Sequence, residues 1–446
     1  MICSEIFKTE LAWRPPEDFL GFASGASSCV MLDSGGESPE GRWSWLCPRP
    51  ASTLVLRQGV LKRDGVEIAQ GTDVWSCIRA MLRPRSAEDL PFPGGVIGLA
   101  SYEAGMRLER IASRHMSDEP ELIAMLCDDF FAFDRQEKRL WWVSHSAAPV
   151  PEIPVVLDDV SALPSLTFAP DLQREAWIAA VKEIIRRIGE GEIFQANLTG
   201  RFSAILSEHS DPAMIWRKLR QTSPAPFGAF LKIPDFSLLS ASVERFIALT
   251  AAGHVSTRPI KGTAPVSDDP DEDRSYAEGL KKDEKEYAEN LMITDLMRND
   301  IGRVCLPGSV TVPQLCGVER FAHVHHLVSE ITGQLRNDVD AVDLLRATLP
   351  PGSVTGAPKH RAMQMIDALE GSARGVYCGS LFRIGHDGSM DSSVIIRSMS
   401  WLPEKTGGGT LRIGAGGGIT WPSIPEKEYD EMCLKAEALI RLFSEK

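Results

Sequence analysis

Hydrophobic and polar positions change rhythm along this chain. Up to about residue 150 the apolar residues come in short runs, broken by Gly, Pro, Asp and Ser clusters. Such runs predict strands joined by turns. The clearest are 29–34 (CVMLDS), 52–56 (STLVL) and 139–143 (RLWWV). The glycine-rich stretch 91–102 (PFPGGVIGLASY) reads as a strand pair packed closely on another layer. The proline-rich, aperiodic segment around 149–169 marks a linker, taken as 151–170. It divides an amino-terminal portion, 1–150, from a second unit, 171–446.

Beyond the linker the period shifts towards 3.6. Trp177, Ile178, Val181, Ile184, Ile185 and Ile188 recur at helical spacing within 171–189. Strands are predicted at 192–198, 227–231 and 237–241, and a hairpin at 245–260 delivers Lys261. Residues 265–275 form a polar, acidic loop. Helices are predicted at 275–299, 341–348, 357–370 and 425–444. The last carries a cap signal, Ser423 with Glu426 three residues on and Pro425 in the first turn. There is no internal repeat.

Composition narrows the function. The 446 residues are 43% hydrophobic and 24% charged, which suits two or three domains or one large α/β unit. Net charge is 48 − 61 = −13, which argues against a nucleic-acid partner. An anionic substrate would need local arginine, lysine, metal or backbone N–H groups to overcome that field. The nine cysteines are scattered and form no C-x-x-C pair, so a reducing cytoplasm without disulfides or structural zinc is expected. No signal-peptide core and no membrane-length apolar run is found, so no membrane association is expected.

The candidate chemistry starts at 258–263 (RPIKGT). Pro259 stiffens the approach, and Gly262 lets the backbone come close to a ligand. Lys261 is then either a solvated strand-end lysine or an amine held dry enough to act as a nucleophile. Glu244, 17 residues earlier, could face it as a general acid across the hairpin. Glu286 with Glu289, and Glu428 with Glu431, each share a helix face at i, i+3 spacing. Two such faces meeting would suit Mg²⁺; two solvated acidic faces are the plainer alternative. The run 414–419 (GAGGGI) is a carboxylate cradle or a tightly packed strand. Thr355, in the loop before the 357–370 helix, could hold a carboxylate at a helix start. Of His323, His325 and His326, alternation puts the first two on one face and His326 on the other. Arg397, within an apolar strand, and Lys435 are the cationic candidates.

In order along 175–440 stand GEIFQANL, VERF, RPIKGT, EYAENLMITDLMRNDIGRV, VHHLVSE, PPGSVTGAPK, RGVYCGS, IIRS and GAGGGI with EKEYDEM. With LDS at 32–34 and PFPGGVIGLASYEAG, this series resembles the chorismate-utilising enzymes, the family of the anthranilate, aminodeoxychorismate, isochorismate and salicylate synthases. The resemblance spans nearly the whole chain. It implies an α/β (α+β) fold, with a large antiparallel β-sandwich core flanked by helices. Water-using members carry a lysine where this chain has Gln195; anthranilate-forming members usually carry alanine where it has Lys261. The resemblance therefore implies amination of chorismate to 4-amino-4-deoxychorismate, towards p-aminobenzoate and folate. Lys261 would be the nucleophile and Glu244 the acid. Glu289 and Glu431, with Glu286 and Glu428 nearby, would hold Mg²⁺. Gly262, Thr263, His326, Thr355, Tyr377, Arg397, Gly414, Gly416 and Lys435 match substrate contacts. No cysteine lies in G-x-C-x-G, so ammonia would come from a separate glutamine amidotransferase subunit. Anthranilate formation, or chorismate binding without turnover, are the alternatives. Thr420 to Ser423, Val243 and Tyr287 depart from the family pattern, and LDS resembles a pocket that binds tryptophan in relatives.

Overall fold

The strand Leu122–Cys127 (LIAMLC) is buried at every position. Leu122, Ala124 and Leu126 enter one apolar cluster, while Ile123, Met125 and Cys127 enter another. A strand with two apolar faces must lie between two layers. Asp129–Asp134 and Arg139–Ser144 behave alike: Phe131, Phe133, Leu140 and Trp142 point one way, and Phe130, Ala132, Trp141 and Val143 the other. These faces define a computed structural model in which two sheets stack on a shared inner core and helices cover both outer faces. It describes residues 6–35, 41–84, 90–154, 163–206, 211–321, 324–405 and 407–444.

Each sheet has twelve strands among the described residues, and all the pairings between them are antiparallel. In the first, Cys29–Asp33 pairs with Phe227–Ile233, and Gly409–Ile419 pairs with Gln195–Leu206. In the second, Gly95–Ala100 pairs with Ser380–Gly385, and Ile260–Pro265 pairs with Val324–Gln334. Both sheets therefore mix strands from before and after residue 150. Of the expected linker, 155–162 lies outside the described residues, and Ala169–Pro170 pairs with Phe202 and Ser203.

Helices Arg174–Gly189, Pro212–Thr222, Lys359–Leu369 and Pro425–Ile440 pack on the first sheet. Val74–Met81, Glu284–Gly302 and Ala341–Thr348 pack on the second. Among the described residues no helix is long and apolar enough to cross a membrane, and the eight described cysteines are free thiols.

Four sequence expectations are corrected. The helix expected over 275–299 is two helices, Pro270–Lys282 and Glu284–Gly302. Asp283 divides them, its carboxylate accepting the N–H groups of Lys285 and Glu286 as an N-cap. The expected 265–275 loop becomes helical at Pro270, where Asp269 caps the start. The stretch 91–102 is one strand, Gly95–Ala100, followed by the helix Tyr102–Leu108 capped by Ser101. Ser423 does not cap the last helix. Ile424 occupies that position without a side-chain bond, and the Ser423 hydroxyl accepts Thr420 N–H at 3.0 Å instead.

Candidate active site

The hairpin of Arg245–Leu249 and His254–Thr257 forms as expected, with Ala248 opposite Ser256. The chain then crosses into Ile260–Pro265. Lys261 pairs with Leu327 and Thr263 with His326, so Gly262 is the extra residue of a bulge. Its φ is +71°, and a Cβ there would stand 2.9 Å from Leu280 and 3.1 Å from Glu286. Glycine is needed twice over, for the backbone angle and for the close approach of the carboxylate helix. The bulge lets Lys261 and the His326 contacts serve one wall. Thr263 Oγ1 and His326 Nδ1 are 3.1 Å apart, and Nδ1 is 3.2 Å from the Gly262 carbonyl. Burial, aided by the Arg397 charge, pushes the His326 imidazole below its ordinary value.

Lys261 Nζ donates to the Ser353 carbonyl at 3.4 Å. Glu244 is hydrogen-bonded to the same residue. Burial raises the Glu244 carboxyl, against the opposing pull of a Ser353 hydrogen bond and the Lys261 charge. Sequence reading missed Ser353, although it sits inside PPGSVTGAPK. Two buried ion pairs anchor that loop. Lys359 pairs with Asp300 and donates to the carbonyls of Thr348 and Pro350, both at 3.0 Å. Arg374 pairs with Glu370 at 2.7 Å and donates to the Val354 carbonyl at 2.7 Å.

The helix pairs do meet. Glu286 and Glu289 face Glu428 and Glu431 across the end of the glycine strand. A Cβ on Gly418 would be 3.2 Å from Glu289 Oε2, and one on Gly417 would be 3.8 Å from Glu428 Oε2 and 4.0 Å from Glu431 Oε1. Burial raises Glu286 and Glu289, while Lys261 pulls both down. Burial is the largest effect on Glu431 and acts to raise it, but Lys435, Lys285 and Lys261 together outweigh it and the group is lowered. Two lysines stand in as cations: Lys285 Nζ is 3.1 Å from Glu428 Oε1, and Lys435 Nζ is 2.8 Å from Glu431 Oε1. Glu289 and Glu428 are buried, Glu286 is half-buried and Glu431 is exposed; mutually repelling carboxylates that recruit lysines are a donor set that suits a hard divalent cation.

Beside this cluster, along the same glycine strand, opens a cleft of about 1010 Å³. Glu244, Lys261, His326, Tyr377, Arg397 and Lys435 line it, with the backbone of 414–418. The run 414–419 is a strand, paired along one edge with 196–201. Its other neighbour, Ser398–Pro403, pairs only as far as Ile413, which leaves that edge of the glycines facing the cleft. Gly414 sits under the Tyr377 ring, where a Cβ would come within 2.2 Å. Arg397 corrects the expectation of a strand arginine. It is exposed, on the turn between Met390–Val394 and Ser398–Pro403, with φ +49°.

Other sequence candidates lie off this surface. Gln195 is buried, with its Oε1 unpartnered. Thr355 is buried, its hydroxyl donating to the Gly352 carbonyl at 3.0 Å. His325 is buried against Asp273 at 2.9 Å, opposite in direction to His326, and His323 lies outside the described residues. Asp33, from the LDS segment, accepts from Ser44 at 2.9 Å and Arg135 at 3.1 Å and pairs with Arg220. Outside the cleft, Asp128, His145 and His386 bring ligand-type atoms within 4.8 Å of one another. Arg83 N–H donates to His386 Nδ1 at 3.0 Å, so neutral His386 gives its Nε2 proton to Asp128 at 2.8 Å. That nitrogen then has no lone pair for a cation.

A family model described as chorismate binding enzyme matches residues 28–441. The chain belongs to this chorismate-binding family. It is 40% identical to aminodeoxychorismate synthase component 1 of Escherichia coli (strain K12), over 97% of each chain. It is 34% identical to anthranilate synthase component 1 of Thermus thermophilus, covering 96% of this chain and 94% of that one. The fold matches the crystal structure of anthranilate synthase component I from Streptococcus pneumoniae, with a TM-score of 0.78 and 31% identity over 91% of this chain and 94% of that chain. The protein is a chorismate-converting enzyme, and its two-sheet sandwich is the architecture of this family.

Proposed function

We propose that the chain is the chorismate-aminating component of an aminodeoxychorismate synthase. The observation that carries this reading is Lys261, whose amine enters the cleft beside Glu244 with Ser353 touching both. Anthranilate-forming relatives usually have alanine at that position. The Lys261 amine attacks C2 of chorismate, the double bond shifts, and the C4 hydroxyl leaves as water with a proton from Glu244. Ammonia then attacks C4, the double bond shifts back, and Lys261 leaves. A carboxyl raised by burial suits the proton-donating role. His326, Tyr377, Arg397, Lys435 and the open glycine edge would orient the substrate.

Glu289 and Glu431, with Glu286 and Glu428, would hold Mg²⁺, which would neutralise and fix the ring carboxylate of chorismate. A glutamine amidotransferase partner would supply ammonia, and the product would feed p-aminobenzoate and folate synthesis. The free thiols suit a cytoplasmic setting.

Product identification tests the proposal. Chorismate, Mg²⁺ and ammonium given to the purified chain should yield 4-amino-4-deoxychorismate. Anthranilate as the main product would overturn it in favour of the ortho-aminating relatives. No turnover under any nitrogen supply would leave a chorismate-binding subunit.

A further inference from the structure

We infer that Lys285 is a built-in counter-ion that holds Glu428 until a divalent cation displaces it. The inference rests on the metal reading proposed above. Lys285 lies in the first turn of Glu284–Gly302 and Glu428 in the first turn of Pro425–Ile440, 143 residues apart. Their 3.1 Å ion pair ties the two carboxylate-bearing helices together. The Glu428 side chain is only 6% exposed, whereas that of Lys285 is 33% exposed. The carboxylate is therefore fixed at the end of the glycine strand, and the lysine reaches it from the solvent side on a flexible four-carbon stem. Lys285 can swing out without unfolding anything.

Lys435 is a different kind of contact. It pairs with Glu431 one turn away on its own helix, and it also donates to the Gly416 carbonyl at 3.0 Å. It keeps a partner whether or not Glu431 turns towards a cation. Lys285 donates to Glu428 alone among the described residues, so a cation that takes this carboxylate releases the lysine. The apparent affinity for the cation is then reduced by the fraction of molecules in which Lys285 still holds Glu428. Without Lys285 the carboxylates of the two helices would face one another with one cation fewer, and the cation-free protein would be less stable.

The test is Mn²⁺ titration of the full chain, followed by electron paramagnetic resonance of the free ion, without substrate. Lys285→Gln should bind Mn²⁺ roughly three- to tenfold more tightly than wild type. Lys285→Arg, with a bidentate fork for Glu428, should bind it more weakly. Lys282→Gln is the control for net charge, because Lys282 is 78% exposed and pairs with Glu278. It should leave the affinity unchanged. Thermal melts add a second readout: cation-free Lys285→Gln should melt below wild type, and Mn²⁺ should raise its midpoint by more. If Lys285→Gln does not fold, the weaker binding of Lys285→Arg carries the test. Equal Mn²⁺ affinity in Lys285→Gln and Lys282→Gln, or unchanged affinity in Lys285→Arg, overturns the counter-ion role alone. Absence of Mn²⁺ binding in wild type overturns both this role and the metal reading.

Discussion

Lys261 and Ser353 meet at 3.4 Å, amine to carbonyl, across 92 residues of sequence. The same serine bonds Glu244. One loop residue thus sets the spacing between the proposed nucleophile and the proposed acid. The loop is in turn held by two buried ion pairs and by the Asn197 N–H, which donates to the Thr355 carbonyl at 2.6 Å.

Replacing each partner separates their roles. Glu244→Gln keeps the shape of the side chain but cannot give up a proton. Amination of chorismate by ammonium should fall by about 10²–10⁴-fold. Because burial raises the Glu244 carboxyl, wild-type kcat/KM should decline as pH rises through that elevated value, and Glu244→Gln should lose the decline. A variant within twofold of wild type would remove Glu244 from the chemistry. Lys261→Ala should abolish any trapped protein–substrate adduct in mass spectrometry. Retained amination would make direct attack by ammonia the route.

Gly262→Ala tests the bulge. The new methyl meets Leu280 and Glu286 at a backbone angle of +71°. Left-handed backbone costs a non-glycine residue about 1–2 kcal/mol. The activity loss should be larger than that strain suggests, near 10²-fold, because both Lys261 and Glu286 must shift. Urea denaturation beside steady-state kinetics separates the two effects. Wild-type kinetics in Gly262→Ala would mean that the bulge does not set the geometry.

How much of this could be read from the sequence depends on the range of the interaction. Runs such as 139–143 announced strands because the four positions after Arg139 are all apolar, and local sterics then leave few choices. The Glu286/Glu289 and Glu428/Glu431 pairs were legible because helical spacing fixes a shared face. The break at Asp283 is also a local matter. Its capping side chain was overlooked because apolar periodicity continues across it. Arg397 was misplaced for the opposite reason. Its neighbours are apolar, but the turn is set where Cys378 N–H donates to the Ile395 carbonyl, a contact that sequence pattern does not encode. The pairing of Cys29–Asp33 with Phe227–Ile233, and of Lys285 with Glu428, joins segments far apart in the chain. No local signal specifies either.

The Lys359–Asp300 pair should be a structural keystone of the loop. Both side chains are buried, and Lys359 also satisfies two carbonyls. Lys359→Met leaves the buried Asp300 with Arg303, at 3.3 Å and solvent-exposed, as its remaining ion-pair partner among the described residues, at a cost of up to about 3–5 kcal/mol. Lys359→Met with Asp300→Leu should recover part of that loss, since an apolar pair removes the under-compensated buried charge. Denaturant midpoints measure both variants. If the double variant is no more stable than Lys359→Met, the cost lies in the lost carbonyl bonds and not in the charge.

Glu289 sets function against stability, and the sign of its pH dependence is unusual for a carboxylate. Its ordinary value is 4.5, and burial raises it in the folded protein. Between 4.5 and the raised value the folded state binds more protons than the unfolded state. Stability therefore falls as pH rises through that window, the reverse of a salt-bridged acid. Above the window the ionised, buried Glu289 is a standing cost. Glu289→Gln removes the charge but keeps the volume, so without divalent cation the variant should melt higher than wild type at neutral pH. The advantage should shrink as pH falls through the raised value and vanish below about 4.5, where glutamate too is neutral in both states. Amination of chorismate should be lost in the same variant, because the proposed cation site has lost a ligand. Added Mg²⁺ should stabilise wild type and leave Glu289→Gln nearly unmoved. Melting curves across pH, with and without Mg²⁺, check every part of this. A Glu289→Gln variant that is less stable than wild type at neutral pH would mean that Lys261 and Lys285 already compensate the charge. The carboxylate would then be a net stabilising element without any metal.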